Sequence, residues 1–149
     1  MSVKTRIIGV GNPLCGDDGI GVALVERLRA AELPHGVELL DGGLGGLSLI
    51  DYFADVEQVI LVDAVDFGAA AGEIVHLDFA ELSLDDSTSL QQLHAGLAPL
   101  MLLACELHPS VRVDLVAVQP AAMQPGTSLS PAVEAGLSRL ERVVFTLLT

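Results

Sequence analysis

Short apolar runs alternate along this chain with longer segments whose apolar residues recur every three or four positions. Residues 5–10 (TRIIGV) predict a first strand, followed by the loop Gly11-Asn12-Pro13-Leu14-Cys15-Gly16. A helix is expected from about Asp18 to Ala31, with the acidic pair Asp17-Asp18 at its positive end. After the turn Pro34-His35-Gly36, residues 37–41 (VELLD) read as a second strand, and Gly42-Gly43 and Gly45-Gly46 lead into a short helix near 47–54. Residues 57–64 (EQVILVDA) are continuously apolar at their centre, as a buried parallel strand should be. The next strand, 73–78 (EIVHLD), follows a link too short for a helical crossover, which predicts an antiparallel strand at an edge. Residues 80–92 are polar and predict no element. A buried helix is expected over 93–107, with Pro99 either kinking it or standing at its first position. Residues 111–118 (VRVDLVAV) predict the last strand, and Ser130 with Pro131 opens a closing helix that runs to about Leu147.

This order specifies the α/β class. The expected architecture is one three-layer domain over residues 1–149: a twisted, mostly parallel sheet of about five strands, helices on both faces and an antiparallel edge strand. Hydrophobic residues make up 51% of the chain and aromatics only 3%, so the core must be built from aliphatic side chains. A mean hydropathy of +0.58 raises the question of a membrane. The longest apolar run, Ala95 to Cys105, contains Pro99 and falls well short of the roughly 20 residues a spanning helix needs. The first apolar stretch breaks at Asn12-Pro13 and meets Asp17-Asp18, unlike a signal peptide, so a cytoplasmic location is expected. A formal charge of -13, from 20 acidic groups against 7 Lys and Arg, makes nucleic acid and membrane surfaces poor partners. Cys15 and Cys105 form no CxxC pair and are expected as reduced thiols.

Ligands of open α/β sheets bind beyond the carboxyl ends of the strands. Three such ends carry unusual residues: Gly9 to Gly19, Asp41-Gly42-Gly43, and Val62-Asp63-Ala64-Val65-Asp66. The first resembles a dinucleotide fingerprint at Gly9 and Gly11. Leu14, however, stands where the third glycine belongs, and Asp17 and Asp18 would oppose a pyrophosphate. Cys15 paired with His94 would place a thiolate beside two acids, a poor setting for a nucleophile. The remaining constellation is Asp18 at the head of the first helix, Asp63 ending the third strand, and His94 at the start of the later buried helix. Two carboxylates and an imidazole suit a borderline divalent cation such as Ni²⁺ or Zn²⁺. Each also has a purely structural reading. Asp18 would complement the helix dipole, Asp63 would be a paired structural acid, and His94 would be an ordinary surface or core histidine. His35, His76 and His108 read as structural.

Taken together, Gly9-Val10-Gly11-Asn12-Pro13-Leu14 and Gly16-Asp17-Asp18-Gly19-Ile20-Gly21 resemble the hydrogenase maturation endopeptidase family. So do Asp41-Gly42-Gly43, Val62-Asp63-Ala64-Val65, Val118-Gln119-Pro120 and the run Pro125 to Pro131, in the same order and spacing. The resemblance implies an endopeptidase that removes a short C-terminal extension from the nickel-loaded precursor of a nickel–iron hydrogenase large subunit. It implies no permanent cofactor. The nickel belongs to the precursor, and zinc or cadmium would substitute in the isolated protein. By motif position Asp18 and Asp63 are the catalytic pair, and Asp18, Asp63 and His94 are the metal-gripping residues. Gly11, Asn12, Asp41, Gly42, Gly43 and Gln119 line the substrate. The chain departs from the family pattern around the histidine, where Leu90-Gln91-Gln92-Leu93 separate Ser89 from His94, leaving His76 and His108 as fallbacks. Whether the metal polarises the scissile carbonyl or a carboxylate activates water is open, since both use the same residues. Two further readings share the site: a metal-dependent hydrolase of small peptides or amides, and a non-catalytic nickel-binding maturation chaperone.

Overall fold

The computed structural model describes residues 3–44, 46–81 and 97–148. Strands β1 (Thr5–Gly9), β2 (Val37–Asp41), β3 (Gln58–Ala64), β4 (Ile74–Asp78) and β5 (Arg112–Val118) form one sheet in the order β2-β1-β3-β5-β4. β1 pairs in parallel with both β2 and β3, β3 pairs in parallel with β5, and β4 runs antiparallel to β5 at the edge, as its short connection predicts. All seven residues of β3 are buried, which is why this strand is continuously apolar at its centre, Val59 to Val62, while the edge strands are not.

Helices α1 (Ile20–Arg29), α2 (Leu97–Leu107), α3 (Pro131–Ala135) and α4 (Leu137–Leu147) cover the two faces. Side chains alternate along β3. Val59 and Leu61 join Leu49, Phe53, Leu100, Met101 and Ala104 beneath α2 and a 3₁₀ helix at Leu47–Phe53. Ile60 and Val62 join Ile20, Leu24, Leu28, Leu140 and Val144 beneath α1 and α4. The stripe Ile20, Leu24, Leu28 explains α1: a four-residue repeat lays one apolar face on the sheet. No helix among the described residues is long and apolar enough to cross a membrane.

Three local expectations change. Asp17 and Asp18 lie not in α1 but on a 3₁₀ turn, Gly16–Gly19, that precedes it. Ser130 stands at the N-cap with extended backbone but makes no side-chain cap, because its hydroxyl is drawn to Asp17 instead. The closing helix is divided at Gly136, whose N–H turns to Val133 O (3.0 Å), the tighter i→i−3 bond of a 3₁₀ turn. Pro99 stands in the first described turn of α2.

Candidate active site

The chain leaves β1 on one face through α1 to reach β2, then crosses under the other face through the Leu47–Phe53 helix to reach β3. The strand order therefore reverses between β1 and β3, and their carboxyl ends bound the crevice where α/β sheets bind ligands. Close packing pulls the head of α1 into that crevice. A methyl group on Gly9 would strike the Gly21 carbonyl, and one on Gly21 would strike the Val62 carbonyl. Gly11 adopts φ +129°, and a side chain there would run into the Asp18 carbonyl.

These contacts bring Asp18 and Asp63 together. Asp18 Oδ2 accepts a hydrogen bond from Asn12 N at 2.9 Å, while Oδ1 is buried without a partner. Asp63 is fully buried; its Oδ1 accepts from Ala64 N at 2.9 Å and its Oδ2 has no partner. Burial pushes the Asp63 carboxyl up to about 8, the Ala64 N–H opposes this, and the nearby negative charge of Asp18 adds to it. Among the described residues only three buried side-chain polar atoms lack a hydrogen bond. The third is Arg6 Nε, which faces Glu38 Oε1 at 3.5 Å. Buried acceptors are seldom left unmet, so two orphaned oxygens on neighbouring carboxylates mark a place built for something else. Either a divalent cation or a shared proton fits the unused lone pairs.

The other residues expected at the site fall into two groups. Gly42 N donates to Gly9 O (2.7 Å), and Gly11 N to Gly43 O (2.7 Å), so the β1–β2 pairing continues into the loops beside Asp18. Asn12 lies in the same loop and accepts from Leu14 N at 2.9 Å. Asp41 is exposed at the end of β2 and accepts from Gly43 N at 2.9 Å. Gln119 differs: it is buried beyond β5 with its amide committed within the chain. Its Oε1 accepts from Phe67 N (2.8 Å) and Ala69 N (3.2 Å), and its Nε2 donates to Asp66 Oδ1 (3.1 Å).

His94 lies outside the described residues. Among those described, no group of three or more His, Cys, Asp or Glu is placed to hold a metal. His76 is bonded to Asp114 Oδ1 at 2.6 Å. His108 lines a depression of about 310 Å³ with Asp78, Phe79, Cys105 and Arg112, at the opposite ends of the strands. Cys15 and Cys105 are free thiols.

Sequence reasoning treats Asp17 and Asp18 as a pair and misses the role of the first. Asp17 is fully buried, with its carboxylate bonded to residues 121, 122 and 130. Burial raises its carboxyl, but hydrogen bonds from Ser130, Ala121 and Ala122 outweigh that and hold it below the usual carboxylate range. Its partners lie more than a hundred residues away in sequence, where no local pattern could point to them.

The mixed α/β sheet thus carries two under-partnered carboxylates, Asp18 and Asp63, at its switch point. Residues 22–147 match the model of the hydrogenase maturation protease (HycI) family, and the chain belongs to that family. It is 34% identical over 149 residues to the hydrogenase 2 maturation protease of Escherichia coli, covering 97% of this chain and 91% of that one. It is 36% identical over 135 residues to the hydrogenase expression/formation protein HupD of Rhodobacter capsulatus, covering 87% of this chain and 64% of that one. The chain spans less than two-thirds of the length of several of the curated relatives it matches. Among solved structures, the hydrogenase maturating endopeptidase HybD from E. coli superposes with a TM-score of 0.80 at 28% identity, over 97% of this chain and 91% of that one.

Proposed function

We propose that this chain is an endopeptidase that removes a short C-terminal extension from the nickel-loaded precursor of a nickel–iron hydrogenase large subunit, in the cytoplasm. The observation that carries this reading is the pair of orphaned oxygens, Asp18 Oδ1 and Asp63 Oδ2, at the β1/β3 crevice. A cation presented by the substrate supplies what both lack, and its charge favours the ionised form of both carboxyls. His94 is the third group of this grip. The nickel is cargo of the precursor, not a resident cofactor, and zinc or cadmium takes its place on the isolated chain.

The rim supports a polypeptide substrate. Leu14, Leu44 and Met123 are exposed on the loops around the crevice, an apolar fringe that a small polar substrate would not use. Gly11, Asn12, Gly42 and Gly43 allow close approach of a chain to Asp18, Asp41 discriminates among precursors from the edge, and Gln119 shapes the 66–69 loop behind the site. With its carboxyl at about 8, Asp63 arrives protonated at neutral pH and releases that proton when the cation binds. The test is to mix the protein with matched nickel-loaded and nickel-free precursor, and with the free tail peptide, and follow the products by mass spectrometry. Shortening of the nickel-loaded precursor alone is expected. Efficient cleavage of the nickel-free precursor or the peptide would overturn metal-gated processing and favour a general hydrolase, and metal binding without any cleavage would favour a chaperone.

A further inference from the structure

Asp17 and Asp18 are sequence neighbours with opposite surroundings. The Asp17 carboxylate accepts four hydrogen bonds: from Ala121 N (2.8 Å), Ala122 N (3.2 Å), Ser130 N (2.7 Å) and Ser130 Oγ (2.8 Å). The main chain of the same turn is tied to the same segment, with Gly16 N donating to Thr127 O (3.0 Å) and Asp17 N to Ala122 O (3.0 Å). Gly16 itself has no room for a side chain, because a methyl group there would press on Ala122 O and Thr127 Oγ1. The Gly16–Gly19 turn is thus fastened along one side to residues 121–130.

The geometry of the turn gives this fastening a consequence. A 3₁₀ helix has about three residues per turn, so consecutive side chains diverge by roughly a third of a circle. Holding Asp17 towards residues 121–130 turns Asp18 away from them, to the end of β1, where Asn12 N meets one oxygen and nothing meets the other. An acid left in that condition next to Asp63 would relax if it could, by shifting until its free oxygen met a donor. The four-bond anchor on its neighbour fixes the main chain from which Asp18 projects.

We propose that Asp17 is a positioning residue, buckled to Ser130 and the 121–122 main chain so that Asp18 keeps its unpartnered oxygen in the crevice near Asp63. The inference rests on the two-carboxylate reading of the site given above. It assigns a part in metal recognition to Ser130, which has no place among the ligands.

The experiment compares wild type with Ser130→Ala, Ser130→Thr and Asp17→Asn. Ser130→Ala removes one bond and keeps the backbone donor, Ser130→Thr restores the hydroxyl, and Asp17→Asn sets an amide against main-chain N–H groups. Each is titrated with Ni²⁺ and with Cd²⁺ as the isolated full chain, with its folded fraction measured by thermal unfolding. Precursor processing is then resolved into kcat and KM. Per folded molecule, metal binding is expected to weaken about tenfold in Ser130→Ala and more in Asp17→Asn, and to return in Ser130→Thr. kcat should fall in step with binding. A lowered melting temperature with wild-type metal affinity and kcat in the folded fraction would overturn the positioning role alone. Failure of the wild-type chain to bind either metal would overturn the two-carboxylate reading and this role with it.

Discussion

Asp63 and Asp114 are both fully buried acids in neighbouring strands of one sheet, and they have opposite chemistry. At the amino-terminal half of the strands, Asp114 Oδ2 accepts from Gln58 Nε2 (2.8 Å) and Arg112 Nε (3.0 Å), and its Oδ1 pairs with His76 Nε2 (2.6 Å). Gln58 is held in turn by Thr5 Oγ1 (3.2 Å) and by Leu147 O (3.0 Å). Burial pulls the Asp114 carboxyl up, but these partners outweigh it and the net shift is down. At the carboxyl end, Asp63 has one N–H from its own neighbour and rises to about 8. Burial alone therefore does not distinguish a structural acid from a functional one. The number of unmet acceptors is what separates the two acids: none on Asp114 and one on Asp63.

The largest expected effect comes from removing the unmet acid. Asp63→Asn should reduce precursor processing by about a thousandfold or more, within the range of lost acid–base or metal-binding groups, while the chain stays folded. Its stability should change with pH in a particular sense. A carboxyl raised from an unfolded value of 3.8 to about 8 favours folding fully below the lower value, and that contribution is lost as pH rises towards the upper one. Asp63→Asn should therefore gain stability relative to wild type on going from pH 5 to pH 8. The gain is several kcal/mol at most, since each tenfold change in proton affinity corresponds to about 1.4 kcal/mol. Denaturant unfolding at both pH values measures it, and equal pH slopes in the two proteins would remove the unmet carboxyl as the cause.

Asp114→Ala sharpens the contrast from the other side. Stripping a buried acid from its Gln58, Arg112 and His76 partners should cost about 3–5 kcal/mol, with processing per folded molecule unchanged. The lowered carboxyl gives the opposite pH sense: its stabilisation is present above 3.8 and is lost as pH falls through the folded value. Acid unfolding of wild type should thus be steeper than that of the variant.

Gly11→Ala tests whether the site depends on close backbone approach. A side chain at φ +129° that also meets the Asp18 carbonyl should destabilise by roughly 1–3 kcal/mol, and metal affinity should fall with it. If stability fell and metal binding held, the loop would be structural only. The smallest effect is expected for His76→Ala, about 1 kcal/mol of stability from one lost bond to a buried acid, with processing intact. A large loss of processing in this variant would return His76 to the site in place of His94.

Sequence alone determined the frame. Runs of period two or continuous apolarity, separated by segments of helical period, yielded five strands within a residue or two of their positions in the structure and the antiparallel edge strand from a link too short to cross. It also singled out Asp63, because an acid at the end of a continuously buried strand is costly enough to need a reason, and Asp18 by its place in the motif at the head of the first helix. What neither pattern nor spacing carried was the division of labour between adjacent or similar acids. Asp17 and Asp18 are chemically identical in the chain. Only the arrival of Ser130 and residues 121–122, more than a hundred positions away, made one an anchor and left the other turned to the crevice. The same holds for Gln119, whose amide is spent on residues 66–69, and for Asp114, which has a histidine, an arginine and a glutamine around it. Secondary structure follows from neighbours in the chain, and a few residues suffice to write it. Whether a buried oxygen finds a donor depends on groups brought together by the folded whole, and that only the tertiary structure decided.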